Sequence, residues 1–411
     1  MTPDAWAEHA DQLAALVPRA LHPAGGFGWL DPTNTLAPGR GVATWITCRM
    51  THVAALATLR HPEAGLSLAQ CLDHGAKALD AGGLLRDDRH GGWFSGVVVG
   101  DEPGVDGTKA AYAHAFVILA SASLTAVGHP QGRSLLEDAL SVFDLRFWDE
   151  AEGMARESWD RRWRASEPYR GVNANMHTVE AMLAAGEVLR DPSLTDRARR
   201  IVDRVVCGYA READWRLPEH FTDAWEPQLD YNRERADDQF RPFGVTIGHV
   251  LEWARLALNT RAAVARDGTP RPDLLEAAAA MFAAAMDRGW AVDGSPGLVY
   301  TTDFADQPVV RQRLHWVLCE AFATAAALHH ETNDSVYRQW LDTLWGYAEE
   351  HLIDHENGGW LHELGPDNTP DDSIWWGKPD IYHAYQAALV PSLPSMVSFA
   401  GSVGSPDLGQ R

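Results

Sequence analysis

The chain has 411 residues, 45% of them apolar and 17 of them tryptophan, ample material for a large core. Its formal net charge of −22 argues against nucleic acid and anionic membranes as partners, because phosphates would meet a like-signed surface. No apolar run reaches the ~20 residues that span a bilayer. Cys48, Cys71, Cys207 and Cys319 show no CxxC spacing, and the start MTPDAWAEHADQLAALV has no basic leader region. The expectation is a soluble cytoplasmic protein with reduced thiols, a monomer or homodimer that needs no cofactor.

Helical periodicity dominates from the first residues onward. It predicts twelve helices, at about 3–20, 42–60, 65–81, 108–127, 132–147, 174–190, 193–210, 245–265, 271–288, 311–331, 334–352 and 380–391. Asp191-Pro192 and Asn333-Asp334 mark starts, and Gly82 and Gly128 mark ends. Between helix pairs a Gly/Trp segment recurs: GGFGWL, RHGGWFSGV, EGMARESW, a diverged WRLPEHF, GLVYTTDF and NGGWLHEL. Six such hairpins for six helix pairs predict an all-α (α/α)6 barrel with short β-hairpins over one mouth. An open α-solenoid is the competing architecture. No Pro/Ser/Gly-rich linker interrupts the interior, so residues 1–393 are expected to form one catalytic domain and 394–411 a flexible tail.

One residue able to handle a sugar recurs in every second helix, 63 to 72 residues apart: Arg49, His114, His177, His249, Trp316 and His383. If the even helices line a central cavity, these six converge there. His177, His249 and His383 share one phase of the repeat, and three imidazoles around one cavity can pass protons in either direction near neutrality. Glu252 follows His249 by three residues and so shares its helix face; it could orient His249, hold a hydroxyl or act as a base. Arg49 sits amid Trp45, Ile46 and Met50, where a guanidinium suits a polar cavity and an oxygen-rich ligand. Tyr112 shares a turn with His114, Asn173 and Asn175 can cap the helix that carries His177, and Trp316 offers a flat face to a pyranose.

The same residues bear on two other chemistries. A metal site lacks local spacing such as HExxH, and Glu252 is the one inner carboxylate the pattern names, so no metal is expected. A glycosidase needs two acids flanking the scissile bond, but the doublets Asp237-Asp238 and Asp371-Asp372 read as solvated loop residues. A non-catalytic carbohydrate-binding barrel is the remaining alternative.

The segments FGWL, TWITCRM, YAHAF, ESWD, YRGVNANMHTVEA, PEHF, FRPFGVTIGHVLEWARL, VYTTDF, RLHWVLCEA, NGGWLHEL and WGKPDIYHA resemble the N-acylglucosamine 2-epimerase superfamily, most closely its aldose–ketose isomerase branch. They run from about residue 26 to 390. The resemblance implies an (α/α)6 barrel, metal-free proton transfer on a reducing monosaccharide, and a site made of Arg49, Tyr112, Asn173, His177, His249, Glu252, Trp316 and His383. Within the branch the substrate pair would be D-mannose/D-fructose, with D-lyxose/D-xylulose also conceivable, or sulfoquinovose and its ketose. His362 and Pro379 stand where the sulfosugar enzymes tend to carry Gln, which favours mannose. The expected mechanism runs through a cis-enediol, with His383 moving the proton between C2 and C1. His249, oriented by Glu252, opens the ring, while His177 and Arg49 stabilise the enediolate. A 2-epimerase shares nearly every one of these residues. The charged segment 229–242 is expected to act as a lid.

Overall fold

The computed structural model describes residues 3–62, 66–99, 103–266, 268–393 and 395–403. Twelve helices pair as the periodicity requires. They are α1 (Pro3–Ala14), α2 (Thr44–Arg60), α3 (Leu66–Leu79), α4 (Ala111–Ala126), α5 (Gly132–Arg146), α6 (Val172–Leu189), α7 (Pro192–Val202), α8 (Ile247–Arg266), α9 (Pro272–Gly289), α10 (His315–Thr332), α11 (Ser335–Tyr347) and α12 (Tyr382–Leu389). Two differences from the predicted bounds have local causes. Helix α1 stops at Ala14 because Pro18 four residues on clashes with that carbonyl, and the chain continues as a 3-10 turn, Val17–Ala20. The last turns of two outer helices widen into π-helix, at Asp203–Ala210 and Ala348–Leu352.

The even helices pack side by side in the order α2, α4, α6, α8, α10, α12, and α12 returns to α2, so the inner ring closes. Each odd helix packs outside its partner. Burial follows this division: Thr44–Ala57 of α2 is buried on every face, whereas α5 buries only a stripe that includes Leu136, Ala139 and Phe143. A helix apolar all round belongs inside, and one with a single stripe belongs on the surface.

Short strands form the mouth, but they pair differently from isolated hairpins. The two or three residues before an inner helix pair antiparallel with a strand of the next repeat. Val42–Ala43 joins Gly96–Val98, Lys109–Ala110 joins Ser158–Trp159, and Tyr169–Gly171 joins His220–Thr222. Val245–Thr246 joins Thr301–Thr302, Arg313–Leu314 joins Glu363–Leu364, and the Leu30–Lys378 bridge completes the circle. Each inner helix is thus entered from a strand that is stapled to its neighbour. The N-terminal ends of all six inner helices are held at the same mouth.

The opposite end is shut by a segment the sequence reading assigned to a flexible tail. Residues 396–400 are buried, and Phe399–Val403 forms a thirteenth helix, α13, against α2, α4 and α6. Asn259 Nδ2 donates to the Met396 carbonyl at 2.7 Å, and Ser398 Oγ to Glu187 at 2.6 Å. The expectation fails there because a small, polar composition conceals Met396, Val397 and Phe399, which supply an apolar plug. The remainder of the expected tail, 404–411, lies outside the described residues.

Candidate active site

The first two turns of the inner helices line one cavity at this mouth, walled by polar and aromatic side chains. No side chain caps the N-termini of α2, α4, α6 or α10. The first N–H of each bonds a backbone carbonyl of the next repeat, at Ser95, Glu157, Glu219 and His362, and the aligned peptide dipoles leave partial positive charge at this end of the barrel, favourable to a developing oxyanion.

Five of the six stations reach the cavity: Arg49, His177, His249, Trp316 and His383 line it, together with Tyr112, Asn173 and Glu252. His114 does not. It points outward beneath the mouth strands, its Nδ1 donating to the Ala110 carbonyl at 2.7 Å and its Nε2 accepting the Trp93 N–H at 3.2 Å. Burial pushes its imidazole down to about 3. Both ring nitrogens are consumed by the backbone, so His114 is a structural residue, and Tyr112 two positions earlier is what α4 offers the cavity. Neither Asn173 nor Asn175 caps α6, whose first residue is Val172. Asn175 instead bonds both polar groups of Ala155. Asn173 lines the cavity with its Oδ1 lacking a hydrogen-bond partner among the described residues.

Two histidines are built alike. His249 Nδ1 lies 3.0 Å from Glu219 Oε2, and His383 Nδ1 lies 2.9 Å from Glu320 Oε1. A carboxylate only accepts, so each Nδ1 carries the proton and each Nε2 keeps a lone pair for the cavity. The Trp316 ring sits between them, 5.2 Å from His249 and 5.7 Å from His383 centre to centre. Gly248 makes that possible: a Cβ there would come within 2.3 Å of the Trp316 ring. Burial, and then the charge on Arg49, holds His383 well below the ordinary 6.5. It is therefore neutral and able to take a proton. The partner of His249 corrects the expected one, since Glu219 rather than Glu252 orients this ring. The i,i+3 spacing put Glu252 on the right face, but its carboxylate turns toward α6 and α10.

Below the histidines lies a layer of three buried carboxylates, Glu180, Glu252 and Glu320, with Arg255 among them. Arg255 donates to Glu320 at 2.8 Å and to Glu252 at 3.4 Å. Glu180 accepts from the Tyr382 hydroxyl, and from Gln386 at 3.1 Å. Burial works to raise the Glu180 carboxyl, but His177, Arg255 and Tyr382 outweigh it and hold the group low. Glu252 goes the other way: burial, followed by repulsion from Glu320, lifts its carboxyl well above the usual range. His177 stands above the layer, Nδ1 3.5 Å from Glu180 and 3.9 Å from Glu252, and burial pushes it down to about 4.

This layer overturns one premise of the sequence reading, that carboxylates are too few for a metal. His177, Glu180 and Glu252, and likewise Glu252, Glu320 and His383, each bring three ligand atoms within 4.8 Å of one another. What opposes a cation is that these oxygens already hold donors: Arg255 bonds Glu320 and Glu252, Tyr382 and Gln386 bond Glu180, and the His383 Nδ1–H bonds Glu320.

Across the cavity, Arg49 pairs with Asp380 at 3.2 Å and donates to the Tyr112 hydroxyl at 3.0 Å. Its guanidinium lies over Phe116 and Tyr382, 4.6 and 4.7 Å from the ring centres. Over the top, Phe240 packs edge-on against Tyr112, Trp45 and Trp375, and Gln239 donates to the Ile374 carbonyl at 3.2 Å. The charged segment 229–242 thus roofs the cavity, anchored by Arg241 on Glu167 at 2.7 and 2.9 Å. The acid doublets remain outside: neither Asp237-Asp238 nor Asp371-Asp372 lines the cavity.

A family model for N-acylglucosamine 2-epimerase (GlcNAc 2-epimerase) matches residues 25–387. The chain belongs to this family. It is 49% identical to the D-mannose isomerase of Thermobifida fusca, over 98% of this chain and 97% of that protein. It is 47% identical to the D-mannose isomerase of Pseudomonas cannabina pv. alisalensis, over 93% of this chain and 91% of that one. Among solved structures, a D-mannose isomerase superposes with a TM-score of 0.85 at 26% identity, covering 95% of this chain and 97% of its own.

Against this epimerase-family frame, sequence reasoning missed Glu219, Glu320, Glu180, Asp380 and His315. Two left a signal. Glu180 follows His177 by three residues and Glu320 follows Trp316 by four, so each shares a face with a named station. Glu219 and Asp380 arrive from segments ahead of other elements, and no local spacing announces them.

Proposed function

We propose that this chain is an aldose–ketose isomerase that interconverts D-mannose and D-fructose without a metal. One observation carries the reading: two imidazoles, each with its Nδ1–H held by a carboxylate and its Nε2 open, flank Trp316 in one cavity. The close similarity to two D-mannose isomerases supports the same substrate. The net reaction moves one hydrogen from C2 to C1 and one proton from O2 to O1, and no electrons leave the sugar. His249 acts first, relaying the proton that opens the ring. His383 Nε2 then takes the C2 proton, and the imidazolium, stabilised by Glu320, returns it to C1 of the cis-enediol. Arg49, His177 and the uncapped helix ends face the oxygens where negative charge gathers. Segment 229–242 excludes water as it closes over the bound sugar.

His362 and Pro379 both line the cavity beside Asp380. Proline offers no N–H and Asp380 repels an anion, which favours a neutral C6 hydroxyl over a sulfonate. Four unpaired thiols suit a reducing cytoplasm. The test is incubation with D-mannose in D2O with EDTA present, followed by NMR. Fructose bearing deuterium at C1 supports the reading. Glucose deuterated at C2 as the sole product means a 2-epimerase, and activity abolished by EDTA and restored by one divalent ion revives a metal site. A preference for sulfoquinovose by an order of magnitude overturns the substrate and leaves the mechanism standing.

A further inference from the structure

His315, the first residue of α10, lines the cavity next to the proposed acid–base pair, its ring centre 6.4 Å from that of His383. It is 4% exposed, and its Nε2 has no hydrogen-bond partner among the described residues. The other nitrogen fixes what Nε2 is. Nδ1 lies 3.3 Å from the His362 carbonyl, which also receives the His315 backbone N–H at 3.0 Å. A carbonyl oxygen only accepts, so the ring proton is on Nδ1 and Nε2 presents a bare lone pair. Burial keeps the ring uncharged by pushing it down to about 4. The His362 ring stacks on it, 3.7 Å between centres and 30° between planes, and holds that lone pair in one direction.

This imidazole differs from its neighbours in one respect. His249 and His383 lean on carboxylates, which stabilise the imidazolium and suit proton transfer. His315 leans on a neutral carbonyl, which favours an acceptor over a base. A buried acceptor left unmatched is costly, and a ligand that supplies a donor recovers that cost. A hydroxyl can donate. A sulfonate, phosphate or carboxylate oxygen brings only lone pairs and would meet the Nε2 lone pair head-on.

We propose that His315 is a specificity-determining residue: its Nε2 accepts the hydrogen of a substrate hydroxyl remote from C1 and C2, and so admits a neutral sugar and refuses an anionic group there. The proposal rests on the sugar-isomerase reading. It is tested by measuring kcat/KM for D-mannose and its 3-, 4- and 6-deoxy analogues with wild type, His315→Phe and His315→Gln, with binding by calorimetry in parallel. In wild type, one analogue falls at least tenfold below D-mannose. In His315→Phe, D-mannose drops to that analogue's level while the analogue is unchanged. His315→Gln recovers part of the difference, since an amide oxygen can accept. Equal penalties across the series in wild type and His315→Phe overturn the proposal. Should the phenylalanine variant fail to fold, a wild type in which no deoxy analogue loses more than threefold overturns it equally. A wild type that binds these sugars with the expected discrimination and turns none over defeats the isomerase reading alone.

Discussion

The entry turns of α4 and α12 bury the same side chain and use it oppositely. His114 sits under the mouth strands with one nitrogen on the Ala110 carbonyl and the other on the Trp93 N–H. His383 has one nitrogen on Glu320 and the other open to the cavity. Both are buried, both are held uncharged, and both stand within the first two turns of an inner helix. The second nitrogen separates them. Spent on backbone, an imidazole staples two segments; left free over a cavity, it can take a proton.

The largest test of that contrast is to remove the free nitrogens. His383→Ala and His249→Ala should each lower kcat/KM by ~10²–10⁴, the usual loss for an essential acid or base, with the helical fold retained by circular dichroism. Activity within threefold of wild type in either variant removes that residue from the mechanism. A smaller loss is expected from the groups that set the tautomer. Glu320→Gln and Glu219→Gln should cost about 10–100-fold in kcat/KM, as loss of an orienting partner does elsewhere. An unchanged kcat/KM would mean the carboxylates only fill space.

The other side of the comparison is broken at His114. His114→Ala should leave kcat/KM within threefold and lower the melting temperature by a few degrees, because the buried Trp93 N–H loses its acceptor at a cost of ~1–3 kcal/mol. A hundredfold loss of activity without loss of stability would return His114 to the site. Stability against pH should treat both kinds of histidine alike. His52, His114, His177 and His315 are held near 3 to 4 in the folded chain against 6.5 when free. The unfolded chain therefore binds more protons between those values. Their contribution is complete above pH 6.5 and lost as pH falls toward about 4, each adding about 1.4 kcal/mol per pH unit to the slope. Thermal melts from pH 7.5 to 5 should show the midpoint falling, and a flat profile would mean these rings protonate without unfolding.

The smallest effect expected is none. Because His383 is held well below 6.5, deuterium exchange at C2 should change by no more than about a tenth between pH 8 and 6.5. A base with an ordinary imidazole pKa would lose half its rate at the lower value.

Periodicity alone was enough to read six helix pairs, their inner and outer faces, and five of the six cavity stations. A 3.6-residue repeat writes burial directly into the order of residues, and a helix apolar on every side has only the interior to occupy. Side-chain partners are another matter. Glu219 reaches His249 across 30 residues and Glu320 reaches His383 across 63, distances over which no local spacing carries information. Composition misjudged residues 396–403 for the same reason, since their burial depends on an open barrel end that exists only once the ring has closed. The repeat fixed which residues arrive at the mouth; closure of the ring decided which nitrogens remain free when they get there, because a hydrogen bond is satisfied by whatever lies within 3 Å in space, not by what lies nearby in the chain.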